Sequence, residues 1–433
     1  MIDPDGGRQP PLSGGTRVAE RRRRRAPLAA NRRRQAQFRR RRIVGLLLVF
    51  GLAGGVFAAL SGGDSPAGSG SAPVRPDAVL IAALRGVHTV AGTLGAFPWP
   101  AEGQSAVALL GYGVMARSPR TNVVPIASLT KMMTAYVVLR DHPLAAGAEG
   151  PTFVMEKADV AAYVHADQTD HSNVPVAVGE HLTEHQLLEA LLIPSADNIA
   201  DYLATWDAGS MAAFVVKMNA TARALGMTQT HYADASGLNP GSRSDATDQA
   251  VLAATLMENP VVRGIVSKRS LPFPVAGTIW NYNPALGVGG IIGVKSGYTF
   301  QAQGCLATAA YRTAAGHPVL VVAVTLGQTG GLAEAARVDE QLLDSAGSSL
   351  VGYRVPLPSG SLATVSSGGI SIAVHASGSS PLIVGWPGME LRYRVVARPL
   401  RKSATAGGVL ADLVVSAPDG TIVSVPLTTG TAR

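Results

Sequence analysis

Apolar residues change their period twice along this chain, and that order limits the folds open to it. Continuous apolar runs at 106–110 and 113–116, split by Gly111, read as a β-hairpin. Helical spacing then takes over. Leu187, Leu188, Ala190, Leu191 and Leu192 recur up to Pro194, and Ile199, Ala200, Tyr202 and Leu203 mark a second helix after Ser195. A third covers 210–225, with Met211, Phe214, Val215, Met218 and Ala222 on one face and Gly226 beyond its end. Strand patterns return at 290–299, 304–311 and 319–326, followed by an amphipathic helix at 332–346; 262–268 and 271–275 fit strands or a short helix. Strands early and late, with helices between and after, describe an α/β chain of α+β type. Its antiparallel sheet is assembled from both ends of the region, flanked by helices and joined to a helical lobe.

The flanks differ in composition. The chain's net charge of +8 is set by residues 1–42, a basic arm with arginine runs at 21–25, 32–34 and 39–42. The remainder is slightly acidic, so nothing in its charge points to nucleic acid. Residues 43–60 carry no charge and read as a transmembrane signal anchor, with the arginine-rich end in the cytoplasm. A cleaved and secreted form is the alternative, because small residues crowd the end of that stretch. Residues 61–76 are a Gly/Ser/Pro/Ala linker. The folded body is expected at 77–349, outside the cytoplasmic membrane, and a small all-β C-terminal domain at 350–433. One cysteine, Cys305, leaves no intrachain disulfide and reads as a core filler within a strand.

Between the hairpin and the lobe lies Ala127-Ser128-Leu129-Thr130-Lys131-Met132-Met133. On a helix, residues three apart share a face, so the Lys131 amine can reach the Ser128 hydroxyl and serve where no histidine base is used. The helix is expected to end near Leu139, before Asp141-His142-Pro143. A Ser-x-x-Lys pair arises by chance about once or twice in a chain this long. Yet only six of the 37 basic residues are lysine, and no other has a serine three residues before it. A retained lysine in an arginine-rich chain suggests that a titratable amine is needed.

Two further stretches, Ser195-Ala196-Asp197 and Lys295-Ser296-Gly297, follow in order. With Ser128-Leu129-Thr130-Lys131 they resemble the three motifs of penicillin-recognising serine enzymes, closest to the low-molecular-weight D-alanyl-D-alanine carboxypeptidases. Leu191-Leu192-Ile193-Pro194, Met218-Asn219, Leu225-Gly226-Met227 and Ser236-Gly237-Leu238 fit the same pattern, so the resemblance spans roughly residues 85–345. It implies that Ser128 attacks the penultimate D-alanine carbonyl of a peptidoglycan stem peptide, that Lys131 takes its proton, and that Ser195 relays a proton to the leaving D-alanine. Lys295, Ser296 and the Thr299 hydroxyl would hold the terminal carboxylate, on a strand that also carries Gly297 and Tyr298. The N–H groups of Ser128 and Tyr298 would form the oxyanion hole. β-Lactams would acylate the same serine, and no cofactor or metal is implied.

Two positions depart from the family pattern. Ser296 stands for the usual threonine and keeps the hydroxyl. Asp197 stands for the usual asparagine, with Asn198 next. An amide donates and accepts at once, whereas an ionised carboxylate only accepts and favours a charged Lys131. Either Asp197 is tolerated, or Asn198 turns inward, or activity is weakened to that of a membrane-tethered peptidoglycan- or β-lactam-binding protein. A β-lactamase ranks lower, because no E-x-x-L-N segment is present. His181 and His185 lack the glutamate placement of a metalloprotease helix and read as surface residues, as do His165 and His171 in their polar loop. No G-x-S-x-G elbow exists for a histidine-based hydrolase.

Overall fold

The computed structural model describes residues 87–357, 363–367, 370–397, 408–418 and 420–429. The basic arm, the expected membrane span at 43–60 and the linker at 61–76 lie outside the described residues. No helix among the described residues is long and apolar enough to cross a membrane.

In chain order the strands are β1 (Val87–Thr89), β2 (Gln104–Leu109), β3 (Gly113–Arg117), β4 (Val124–Pro125), β5 (Thr152–Val154), β6 (His181–Thr183), β7 (Arg243–Ser244), β8 (Ser270–Phe273), β9 (Gly277–Trp280), β10 (Ile291–Thr299), β11 (Gln303–Ala314) and β12 (His317–Gln328). The helices are α1 (Thr130–Asp141), α2 (Lys157–Gln168), α3 (Glu184–Leu192), α4 (Asp197–Ala208), α5 (Met211–Ala224), α6 (Ala246–Leu256), α7 (Pro260–Val266) and α8 (Gly331–Ser349). The stretch left open between strand and helix resolves into α7 followed by the β8–β9 hairpin. Asn259 caps α7 by accepting from the Val261 N–H, with Pro260 at its first position.

The central sheet runs β10-β11-β12-β2-β3 and is antiparallel throughout. Strands from both ends of the region therefore meet, as the apolar pattern requires. Both faces are covered, which explains why β2 is buried at every position rather than alternating. Ala106, Ala108, Ala307, Ala309, Val322 and Val324 pack on the helical lobe. Their neighbours Val107, Leu109, Leu306, Ala310, Val321 and Ala323 pack with Val338, Leu342 and Leu343 of α8 on the other face. Helix α1 lies within the lobe with nine of its twelve residues buried, among them the polar Thr130, Lys131 and Thr134.

After α8 the described residues form only strands: β13 (Val351–Arg354), β14 (Ala363–Ser367), β15 (Ile370–Ala376), β16 (Leu382–Gly385), β17 (Glu390–Ala397), β18 (Val409–Ala417) and β19 (Gly420–Thr429). A six-stranded sheet runs β1-β17-β18-β19-β15-β14, so the first described strand joins the last part of the chain. Leu391, Leu413, Val415 and Leu427 from this sheet share an apolar cluster with α8.

One polar group is sealed inside this packing. Asp339 of α8 is fully buried and accepts from the Thr308 hydroxyl at 3.0 Å and the Thr325 hydroxyl at 2.5 Å. Among the described residues no cation is a hydrogen-bond partner of it, and burial pushes its carboxyl up to about 8 against the pull of both hydroxyls. The folded state thus holds a proton that the unfolded chain releases near pH ~3.9. The contribution of Asp339 to stability is then fully present below pH ~3.9 and is lost as pH rises to about 8. The Asp339→Asn variant, which keeps an acceptor without the charge, is expected to match the parent near pH 4. Its melting temperature should exceed the parent's by a margin that grows up to pH ~8 in thermal unfolding.

Candidate active site

The nucleophile candidate sits where a tight turn becomes a helix. A 3-10 turn, Ala127–Leu129, runs directly into α1. Ala127 has φ 46°, the left-handed region that costs a residue with a Cβ about 1 kcal/mol. Ser128 remains partly exposed between buried neighbours. One turn on, Lys131 is completely buried, and a buried ammonium needs a partner for each hydrogen. It has three: Ser128 Oγ at 2.9 Å, Asp197 Oδ1 at 2.5 Å and the Ser236 carbonyl at 3.0 Å. The Ser-x-x-Lys spacing therefore places the two side chains as expected.

The second motif joins α3 to α4. Ser195 takes φ 66° and is 3% exposed, and its Oγ has no hydrogen-bond partner. Backbone bonds hold the strained loop, from Ala196 N–H to the Ala190 carbonyl and from Asp197 N–H to the Ser172 carbonyl. The Ser195 hydroxyl, without a partner among the described residues and held in a strained loop, has its hydrogen-bonding capacity open. Asn198 does not turn inward. Its amide donates to the Val174 carbonyl at 3.0 Å and accepts from the Val174 N–H at 3.2 Å, which ties α4 to the preceding loop. Asp197 is the residue that faces Lys131.

The third motif lies on β10, an edge strand of the central sheet. An edge strand leaves one row of N–H and C=O groups for an extended peptide to pair with. Lys295 is 1% exposed and donates to the Ser296 carbonyl at 2.9 Å. Burial first, and then the charge of Lys131, push its ammonium well below the usual lysine range, while Asp197 opposes them. Ser296 and Gly297 are buried, and Tyr298 is 54% exposed. The Thr299 hydroxyl accepts from the Ala302 N–H at 3.1 Å and keeps its own proton to donate.

Gly297 shows how close this strand comes to the nucleophile. A Cβ there would stand 2.8 Å from Ser128 N and 3.1 Å from Leu129 N. Only glycine lets the strand and the first turn of α1 approach so closely, with the helix's positive end alongside.

Several contributors carry no motif signal. Ser236 contributes a backbone carbonyl, which no side-chain search detects. Tyr282 donates its N–H to the Ile193 carbonyl at 3.3 Å and borders the Ser195 loop. Thr134 donates to the Ala235 carbonyl at 2.6 Å. Its position one turn after Lys131 was the available hint. Away from the site, His181 lies on β6 and His185 on α3, so they share no helix face. Cys305 is fully buried and its thiol is pushed up to about 12 by that burial, leaving it inert.

A partly exposed serine at a helix start, with a buried lysine as its neighbour in place of histidine, defines a serine hydrolase of the serine–lysine kind. The profile of the D-alanyl-D-alanine carboxypeptidase family, peptidase family S11, matches residues 111–329, and the chain belongs to that family. It is 32% identical over 252 residues to a D-alanyl-D-alanine carboxypeptidase of Streptomyces sp. strain K15, covering 52% of this chain and 84% of that protein. Identity to a D-alanyl-D-alanine carboxypeptidase of Mycobacterium tuberculosis is 35% over 210 residues, covering 47% and 67%. The fold is similar to that of the Streptomyces K15 DD-transpeptidase, with TM-score 0.52, 25% identity and coverage of 58% of this chain and 98% of that one. It is also similar to a peptidoglycan synthesis regulatory factor of Streptococcus pneumoniae, with TM-score 0.57, 20% identity and coverage of 78% and 100%.

Gly297→Ala is expected to push β10 off the Ser128 turn and slow acylation by a fluorescent penicillin about 100-fold, the scale of losing an oxyanion donor. Circular dichroism should show the fold retained. Acylation at the parent rate would show that the close approach is dispensable.

Proposed function

We propose that this chain is a serine D-alanyl-D-alanine carboxypeptidase that removes the terminal D-alanine from peptidoglycan stem peptides through an acyl-enzyme on Ser128. The observation that carries the residue assignment is the 2.9 Å bond between Lys131 Nζ and Ser128 Oγ inside a buried cage. With Lys131 in its neutral form, Ser128 Oγ attacks the carbonyl carbon of the penultimate D-alanine, and its proton passes to the lone pair of the Lys131 amine. Negative charge on the carbonyl oxygen is met by the N–H groups of Ser128 and Tyr298. The carbon–nitrogen bond breaks, and the Ser195 hydroxyl passes a proton to the departing D-alanine nitrogen while receiving in its place the one Lys131 took from Ser128. Lys295, with Ser296 and Thr299, holds the terminal carboxylate. Water then cleaves the ester and frees Ser128. A β-lactam carbonyl enters the same first step, but its ring keeps the leaving nitrogen tethered.

The finer organisation belongs to the same reading. Residues 1–42 form a cytoplasmic basic arm and 43–60 a single-pass anchor that holds the catalytic body, 77–349, at the outer face of the cytoplasmic membrane. Residues 61–76 give it reach toward the wall, and 350–433 form a small β-rich domain. Supporting this are the arginine block on one side of an uncharged stretch and a wall-borne substrate that lies outside that membrane.

Asp197 is the point where this chain tests the mechanism. It accepts from Lys131 and, ionised, has no hydrogen to give a substrate. An amide would accept from Lys131 and donate to the bound peptide at once.

Ser128→Ala is expected to abolish the penicillin adduct seen by mass spectrometry and D-alanine release from a peptide ending in D-alanyl-D-alanine; an adduct that persists moves the nucleophile elsewhere. A parent chain that forms a stable adduct yet releases no D-alanine would instead be a binding protein. Asp197→Asn should raise the rate of D-alanine release several-fold, about 1 kcal/mol for one added hydrogen bond. An unchanged or lower rate would show that the carboxylate is not limiting.

A further inference from the structure

We infer that Asp234 is a positioning residue for acyl transfer. It grips the Ser236–Gly237 peptide so that the Ser236 carbonyl takes one hydrogen of Lys131 and leaves the amine's lone pair facing Ser128. The inference rests on Lys131 serving as the base for Ser128, as proposed above.

The geometry around the Lys131 nitrogen sets the requirement. A neutral amine has two hydrogens and one lone pair. Three oxygens surround this one: Ser128 Oγ, Asp197 Oδ1 and the Ser236 carbonyl. A carbonyl and an ionised carboxylate only accept. When both are in place they take both hydrogens, and the lone pair is left for the Ser128 hydroxyl proton. If the Ser236 carbonyl swings away, the second hydrogen can turn to Ser128 Oγ, and the amine donates where it should accept.

Asp234 controls that carbonyl through peptide planarity. Its Oδ2 accepts from the Gly237 N–H, the Asn239 N–H and the Ser236 hydroxyl, each at 3.0 Å. The Gly237 N–H belongs to the same peptide unit as the Ser236 carbonyl, and in a trans peptide the two point in opposite directions. Holding the N–H therefore aims the carbonyl. Its second oxygen, Oδ1, accepts from the Ser242 hydroxyl at 2.5 Å. The turn is also docked from outside, by Thr134 on the Ala235 carbonyl and by Gly237, where a Cβ would meet the Ala127 carbonyl oxygen at 1.8 Å. Nucleophile turn, base and carbonyl are thus built against one another, and Asp234 is the side chain at the hub.

The test compares Asp234→Ala and Asp234→Asn with the parent in the 433-residue chain, reading fluorescent-penicillin acylation against pH and D-alanine release from a D-alanyl-D-alanine peptide. Asp234→Ala should lose about 100-fold in acylation and in kcat, the scale of an ångström-level misplacement. Its KM and the midpoint of its pH profile should stay in place. Asp234→Asn keeps an oxygen for the Gly237 N–H and should acylate within about threefold of the parent. Parent-like acylation by Asp234→Ala overturns the inference. So does an Asn variant as slow as the Ala variant with a displaced pH midpoint, because charge rather than grip would then be acting. If Asp234→Ala fails to fold, the Asn variant decides alone by the same two readings. A Lys131→Ala control separates the two levels: parent-like acylation there removes the base assignment itself, whatever Asp234 does.

Discussion

A lysine amine sealed from water fixes the arrangement of this site more than any other group. Each hydrogen it carries needs an acceptor, because an ammonium left unpaired in an apolar core costs several kcal/mol. The three acceptors around Lys131 come from three places in the chain: the 3-10 turn that leads into its own helix, the first turn of α4, and the Ser236 turn. They meet only when the lobe is assembled. Satisfying the amine and building the catalytic cluster are therefore the same act of folding. The strain at Ala127 fits that demand, since this residue sits where the chain turns sharply to present the Ser128 oxygen, and the strained Ser195 lies in the turn that leads into Asp197.

Close approach is the second constraint. Three surfaces converge on the turn that carries Ser128: β10 through Gly297, the Ser236 turn through Gly237, and α1 behind it. At both glycines an added Cβ would fall within 3 Å of the backbone around Ser128. The two glycines do not loosen the site; they let backbone meet backbone, which holds the nucleophile more tightly than side-chain contacts would. That the strand at this contact is a sheet edge matters as well, because its outer backbone is left for a peptide to pair with.

Much of this was legible in the sequence because it rests on periodicity and on short fixed spacings. The central sheet, the lobe helices and the placing of Ser195 in a connection follow from where the apolar period changes. Ser128 and Lys131 follow from a three-residue interval on a helix. Three things were not legible. Backbone groups such as the Ser236 carbonyl leave no residue signature, so the third acceptor of Lys131 was invisible until the chain was folded. The choice between Asp197 and Asn198 was also open, because adjacent residues at a helix start differ by about 100° in direction and only the fold decides which faces the lysine. The pairing of β1 with β17 was likewise hidden: three residues carry no readable period, and their partner lies some three hundred residues away.

The two buried lysines of the site illustrate how one residue type takes two roles from its surroundings. Lys131 has an acceptor in each direction, one of them a carboxylate. Lys295, on the facing strand, has one hydrogen-bond acceptor among the described residues, the Ser296 carbonyl, so two of its hydrogens remain for a ligand. Burial and the charge of Lys131 weaken its hold on a proton, and an arriving carboxylate reverses both effects by supplying a negative charge and two acceptor oxygens. A peptide ending in a free carboxylate thus brings what Lys295 lacks, while a peptide continuing past that point would bury the amine without supplying the charge. In the proposed reaction, preference for a chain end comes from the hydrogens Lys295 keeps for a ligand, whereas the hydrogens of Lys131 find their acceptors within the protein.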